Sequence, residues 1–154
     1  MPLAPIAWRI AALIWAFQIF MMSASVKLTS QDTRSFLAVL WEQWLGGTAP
    51  ESLIFTLGTI FRKGAHMLEY AILVFLVFRA LEGVFSPPER FRRVAWSLGI
   101  SVAYGLTDEF HQLFVAGRGA SLVDWGIDCV GALVSIVLIT LSRRSSEART
   151  GEAQ

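Results

Sequence analysis

The sequence predicts an all-α polytopic membrane protein: a bundle of four transmembrane helices with an amphipathic interfacial helix between spans one and two. Three observations lead there. Of 154 residues, 55% are apolar and only 16% charged, and the mean hydropathy is +0.55, far from the balance of an ordinary water-soluble domain. Four stretches, 6–26, 64–81, 94–114 and 122–141, approach the roughly 20 mostly apolar residues that cross a hydrocarbon core. Turn-forming residues fall between them, with Ser86-Pro87-Pro88-Glu89 after the second and Gly117-Arg118-Gly119 before the fourth.

The first stretch also resembles an export signal, since Arg9 precedes an apolar run that ends at the small residues Ser23, Ala24 and Ser25. Joined with Ile6, Ala7 and Trp8 the run nears spanning length, and Arg9 can snorkel to the head groups, which favours a retained span. In the long connection that follows, Phe36, Leu37, Leu40, Trp41 and Trp44 recur at helical spacing. They predict an interfacial amphipathic helix over about 35–45. The segment 51–61 is apolar enough to touch lipid, and extension of span two, a flat placement and a dip into the bilayer all fit it. One transmembrane domain, 1–142, is expected, followed by a disordered tail at 143–154 rich in Arg, Ser, Glu and Ala.

Basic residues beside the spans set orientation. Arg79, Arg90, Arg92 and Arg93 lie between spans two and three, and Arg143 and Arg144 follow span four, so both termini are expected on the cytoplasmic side. Trp8 and Trp96 would then mark the inner interface and Trp125 the outer one. Lys27, Arg34, Arg62, Lys63 and Arg118 fall on the outer side, against the count, and read as functional or paired. Arg79 reads as a snorkelling anchor. A net charge of +1 excludes the basic footprint that nucleic acid needs. Cys129 has no partner in the chain and reads as a small buried hydrophobe.

The remaining charge is clustered. Span two opens with Arg62, Lys63, His66, Glu69 and Tyr70; span three closes with Asp108, Glu109, His111 and Gln112; span four opens with Asp124 and Asp128. Because consecutive spans alternate in direction, these segments must lie on one side of the membrane. Lys63, His66 and Glu69 share a helical arc of about 120°, and Asp124 and Asp128 one of about 40°. Gly131 continues the second face and admits a close neighbour. An ionised side chain at the bilayer centre costs on the order of 3 kcal/mol or more, so such groups face a protein interior or a water-filled cavity. Asp108, His111 and Gln112 share one side of span three, with Glu109 near its border; Asp108 reads equally as a solvated charge at a helix end and His111 as interfacial. The N-termini of spans two and four would both point at the cluster and add partial positive charge there, suiting an anionic group.

The runs RKGAHMLEYAIL and TDEFHQLFVAGRGASLVDWGIDCVGAL closely resemble the VanZ-like family of bacterial membrane proteins. The resemblance rests on Lys63, His66, Glu69, Glu109, Gln112, Arg118, Asp124, Asp128 and Gly131, and reaches back to Ser23 at the end of span one. It implies a four-helix protein of the bacterial inner membrane, in a family whose founding member is associated with reduced susceptibility to teicoplanin. Ala116 stands where proline is frequent in the family, and Asp128 where members carry Asp or Asn.

Three function classes fit these residues. A binding or transport protein would take an anionic lipid or lipid-linked cell-envelope precursor on Lys63, His66, Glu69, Glu109, Gln112, Arg118, Asp124 and Asp128, alone or as a homo-oligomer. An enzyme on a lipid-linked substrate would use Glu69 or Glu109 as general base, His66 as proton shuttle and Lys63 with Arg118 to stabilise negative charge. A structural protein would use the same network only to fix helix packing. No cofactor is implied, and neither an H-E-x-x-H nor a paired-cysteine spacing points to a metal.

Overall fold

The computed structural model describes residues 3–24, 30–115 and 119–151. These form five α-helices, α1 (Leu3–Ala24), α2 (Ser30–Leu45), α3 (Glu51–Ala80), α4 (Arg90–Gln112) and α5 (Leu122–Gly151), with a 3-10 turn at Pro87–Glu89 and no strand among the described residues. Two of the helices, over Pro5–Ala24 and Leu122–Ser142, are long and apolar enough to cross a membrane.

The breaks follow local chemistry. Gly46 and Gly47 take φ of 72° and 75° between α2 and α3, a left-handed conformation that costs glycine least. Pro50 then precedes α3. After α3, Ser86 and Glu89 form a capping box around the 3-10 turn, with prolines in its first positions where no amide donor is needed. Ser121 starts α5: its hydroxyl accepts the Asp124 amide at 3.2 Å, which satisfies one of the amides a helix leaves orphaned at its N-terminus.

The segment 51–61 is the first third of α3, continuous with the second apolar stretch, so α3 runs for 30 residues. Hydropathy breaks at Arg62 and Lys63, but the helix continues through them, because charge interrupts an apolar pattern without interrupting backbone hydrogen bonding. Helix α2 begins five residues before the expected start, at Ser30. It docks on α3 by placing the Arg34 guanidinium 4.1 Å from the centre of the Phe55 ring and its stem over Gly58. At the other end of the chain α5 stays helical through Gly151, past the predicted span and into the stretch expected to be a disordered tail.

Packing centres on α3. From its buried stripe, Tyr70, Leu73, Val77 and Ala80 meet Ala12, Ile19, Trp8, Trp15 and Ala16 of α1 in the main apolar cluster. Two long side chains stitch α1 in place: Trp15 Nε1 donates to the Glu69 carbonyl at 3.0 Å and the Tyr104 hydroxyl to the Ala16 carbonyl at 2.6 Å. Against α5 the fit is tighter still. A Cβ on Gly131 would collide with the Met67 carbonyl, its carbon and Cα both 2.8 Å away.

Helix α4 is polar inside and apolar outside. Its buried positions are Arg93, Ser97, Ser101, Gly105, Asp108, Glu109 and Gln112, while Phe91, Trp96, Ile100, Leu106 and Phe110 are exposed. Water-soluble helices show the opposite arrangement.

Candidate functional site

The predicted polar residues do converge at one end of the bundle, but they divide into two groups. Toward α1 and α2 lies a cavity of about 150 Å³, walled by Ser23, Thr33, Arg62, His66, Glu69 and Asp108 and floored by Ile19, Met22, Phe61 and Ala65. Toward α5 the charges lock helices together. Lys63 Nζ lies 3.2 Å from Asp124 Oδ1, and Glu109 Oε2 accepts the Ser121 amide at 2.6 Å.

Each position follows from helix register. On α3, His66 and Glu69 are one turn apart, with Nδ1 and Oε2 3.5 Å from each other. His66 also faces Asp128 Oδ1 at 3.9 Å, so it joins the cavity wall to the interior. The end of α4 is wedged between α1 and α3 on one side and α5 on the other. Asp108 and Glu109, about 100° apart on the helix, are therefore both buried, Asp108 toward the cavity and Glu109 toward the start of α5. Gln112, one turn on, donates to Asp108 Oδ2 at 3.1 Å. Ser23 Oγ lies alongside the Asp108 carboxylate without reaching hydrogen-bond geometry.

The Glu109 contact completes the cap on α5. In a capping box the acid three positions into the helix returns to bond the cap residue's amide. Here that position is Asp124, whose carboxylate is turned to Lys63, and Glu109 of the neighbouring helix supplies the acceptor instead. Two helix ends and one ion pair are thereby tied together.

The structure also changes two expectations. Because α3 starts at Glu51, its N-terminus lies about 18 Å along the helix from Lys63, so of the two N-termini expected at the cluster only that of α5 is there, and that one is capped. Asp108 is an interior residue rather than a solvated end, and α1 contributes Ser23 to the cavity wall. Arg62, counted in the charged cluster but not among the binding residues, walls the cavity, and Thr33 and Ser121 join the site as well. Of these two only Ser121 carried a readable signal, a Ser-x-x-Asp run opening an apolar stretch. His111 stacks on Phe20 with ring centres 4.2 Å apart. Arg118 lies outside the described residues. Among the described residues no group of three or more His, Cys, Asp or Glu side chains could hold a metal ion.

This arrangement can be set against known proteins. A model of the VanZ/LLP1 family matches residues 8–143, which takes in most or all of each helix and every residue of the site. The chain belongs to the VanZ/LLP1 family. No curated protein and no solved structure matches it. Membership in the VanZ/LLP1 family thus covers the cavity wall, the α4–α5 cap and the Met67–Gly131 crossing together, and it agrees with the membrane character of α1 and α5.

Proposed function

We propose that this chain is a multi-pass protein of the bacterial cytoplasmic membrane whose charged pocket binds the head group of an anionic lipid or lipid-linked cell-envelope precursor. In this reading α1, the second half of α3, α4 and α5 are the four spans, and α2 lies at the outer interface. The inverted polarity of α4 supports it: a simple hydropathy count rejects that helix, yet its charges and hydroxyls turn inward and its large apolar side chains outward, as lipid demands. The basic residues at the Arg93 end support an orientation with both termini in the cytoplasm and the pocket in the outer part of the bilayer.

The observation that carries the ligand class is the mixed wall of the cavity. Arg62 can hold a phosphate oxygen, Glu69 and Asp108 can accept from hydroxyl or ammonium donors, and Ile19, Met22 and Phe61 continue as an apolar surface. A phosphate-bearing amphiphile with further hydrogen-bond donors matches all three. At about 150 Å³ the cavity receives a head-group fragment, leaving the chains in the bilayer.

The test is binding by native mass spectrometry or fluorescence in nanodiscs containing phosphatidylcholine, phosphatidylglycerol or a polyprenyl phosphate. Anionic lipids should bind preferentially, and Arg62→Met or Glu69→Gln should weaken that preference about tenfold, the worth of one charge-assisted hydrogen bond. Equal affinity for all three lipids would overturn the reading, and turnover of a lipid-linked substrate would replace it with an enzyme. Altered teicoplanin susceptibility on deletion is the expected cellular readout.

A further inference from the structure

Helices α3 and α5 run side by side in the same direction, in contact from Lys63 and Asp124 to the close crossing of Met67 over Gly131. Two helices that touch backbone to backbone at a crossing separate on leaving it, because the small residue that lets them approach is replaced by larger ones. Beyond Gly131, toward the Arg93 end, they part to leave a groove of about 450 Å³. It runs from Ala71 and Ser135 to Arg79 and Ser142, with Phe75 and Leu138 in its wall. Phe75 is 42% and Leu138 58% exposed, so the groove opens outward rather than into the core.

Its length and its one charge both bear on what fills it. From Ala71 to Arg79 the groove follows α3 for about 12 Å, close to one leaflet's share of a hydrocarbon core roughly 30 Å thick. Among the described residues of the wall only Arg79 is charged, and it stands at the end farthest from the crossing. The chain continues from Ser142 at that same end into Arg143 and Arg144.

Arg79 differs from the arginines around it. Arg93 and Arg9 are taken by the Phe78 and Ala80 carbonyls, and Arg90 by the Ile139 carbonyl. Arg79 closes no helix end. One nitrogen, Nη2, lies 3.3 Å from Glu82 Oε2, the guanidinium carbon is 5.0 Å from the centre of the Trp8 ring, and Nε is shut off from solvent with no hydrogen bond. A guanidinium carries five donors in a planar fork, so one carboxylate contact leaves capacity for a second anion, and phosphate fits that fork. An acyl chain gains little by exchanging one apolar surrounding for another. The groove alone would therefore take any lipid, and selection falls to the arginine at its mouth, as in basic clefts between spans on the cytoplasmic side.

We propose that this groove holds one acyl chain of an anionic phospholipid of the cytoplasmic leaflet, with its phosphate on Arg79. The proposal rests on the spans and orientation given above, and is separate from whatever the pocket at the His66 end binds.

The full chain is placed in nanodiscs of phosphatidylcholine and phosphatidylglycerol, and the lipids it retains are counted by native mass spectrometry. The native chain should keep two phosphatidylglycerol molecules, and Arg62→Met and Arg79→Met one each. Arg79→Met keeps an apolar stem but removes the fork, so it should lower phosphatidylglycerol affinity at the groove about tenfold and leave phosphatidylcholine unchanged. Leu138→Trp fills the groove and should expel both lipids from it. Thermal unfolding shows that each variant is folded; if Leu138→Trp is not, Ile72→Trp fills the groove from the α3 side. Loss of a lipid in the Arg79 and groove-filling variants but not in Arg62→Met upholds the groove and counts against the outer pocket. Lipid retention as in the native chain in both Arg79→Met and the folded groove-filling variant overturns the proposal, as does a second copy of the chain retained in place of the lipid.

Discussion

At the Arg93 end of the bundle, cations finish a helix; at the His66 end, anions do so and charge is left over. Of the last four carbonyls of α3, those of Val77 and Arg79 accept from the Leu81 and Glu82 amides, and arginine side chains reach the other two. Arg93 Nε donates to the Phe78 carbonyl at 2.7 Å, and Arg9 Nε to the Ala80 carbonyl at 3.2 Å. Arg90 reaches the Ile139 carbonyl of α5 at 3.2 Å, while Arg79 pairs with Glu82 at 3.3 Å and lies over Trp8. At the His66 end Glu109 and Ser121 answer the first amides of α5 by the same rule with the sign reversed. Three further carboxylates, Glu69, Asp108 and Asp128, serve no helix end. Charge that closes a helix end is structural, and charge that does not is where function is to be sought.

The largest effect expected is at the crossing that holds the His66 end together. Gly131→Leu should abolish folding, and Gly131→Ala should cost about 3 kcal/mol, because the Met67 backbone cannot yield as a side-chain tip would. Thermal unfolding in detergent measures both. Native stability in Gly131→Ala would mean that α3 and α5 are not in contact there.

Next comes the contrast itself. Arg93→Met should remove about 2 kcal/mol of stability, the worth of a charge-assisted hydrogen bond to a buried carbonyl, with lipid preference in nanodiscs unchanged. Glu69→Gln should do the reverse, reducing lipid binding while leaving the unfolding temperature nearly as it was. If both variants lose stability alike and neither changes binding, the two ends are equivalent and the His66 end is only a structural network.

How far the sequence shows this division depends on the kind of signal. Alternation of apolar stretches is enough to bring the ends of three helices to one side, and the apolar runs place α1, α4 and the start of α5 within a few residues. The length of α3 is hidden, because Arg62 and Lys63 look like a boundary to any hydropathy window and the polar run 30–34 hides the start of α2 in the same way. Asp108 and Glu109 could not be sorted by phase alone, since phase separates two residues only when a helix has one buried side, and the end of α4 is enclosed on two. Thr33 and Ser23 reach the cavity through tertiary packing that no local pattern records.

A smaller effect tests whether the cap on α5 is shared between helices. Ser121→Ala deletes the hydroxyl that holds the Asp124 amide and should cost about 1 kcal/mol, yet it spares the Glu109 contact, which uses the Ser121 backbone. Glu109→Gln attacks the other half. If the cap works as one unit, the double variant should lose less stability than the two single losses added together, a coupling that a double-mutant cycle in thermal unfolding reads directly. Strict additivity would separate the two contacts.

The smallest effect lies at the Arg93 end, in water. Glu89 accepts from the Ser86 amide at 3.1 Å and hydroxyl at 2.9 Å, and these bonds, with Arg92 alongside, hold its carboxyl below the ordinary glutamate value. A carboxyl with a depressed value in the folded state binds its proton more readily when unfolded. Its contribution is therefore complete above the unfolded value and fades as pH falls through the folded one. Glu89→Gln should lower the unfolding temperature slightly at neutral pH and flatten its decline over that acid range, since the amide cannot be titrated. Because the ion pair with Arg92 is open to solvent, it is screened and the change should shrink further in high salt. A large or salt-independent change would mean that the turn before α4 is buried against something, and that the Arg93 end has a partner of its own.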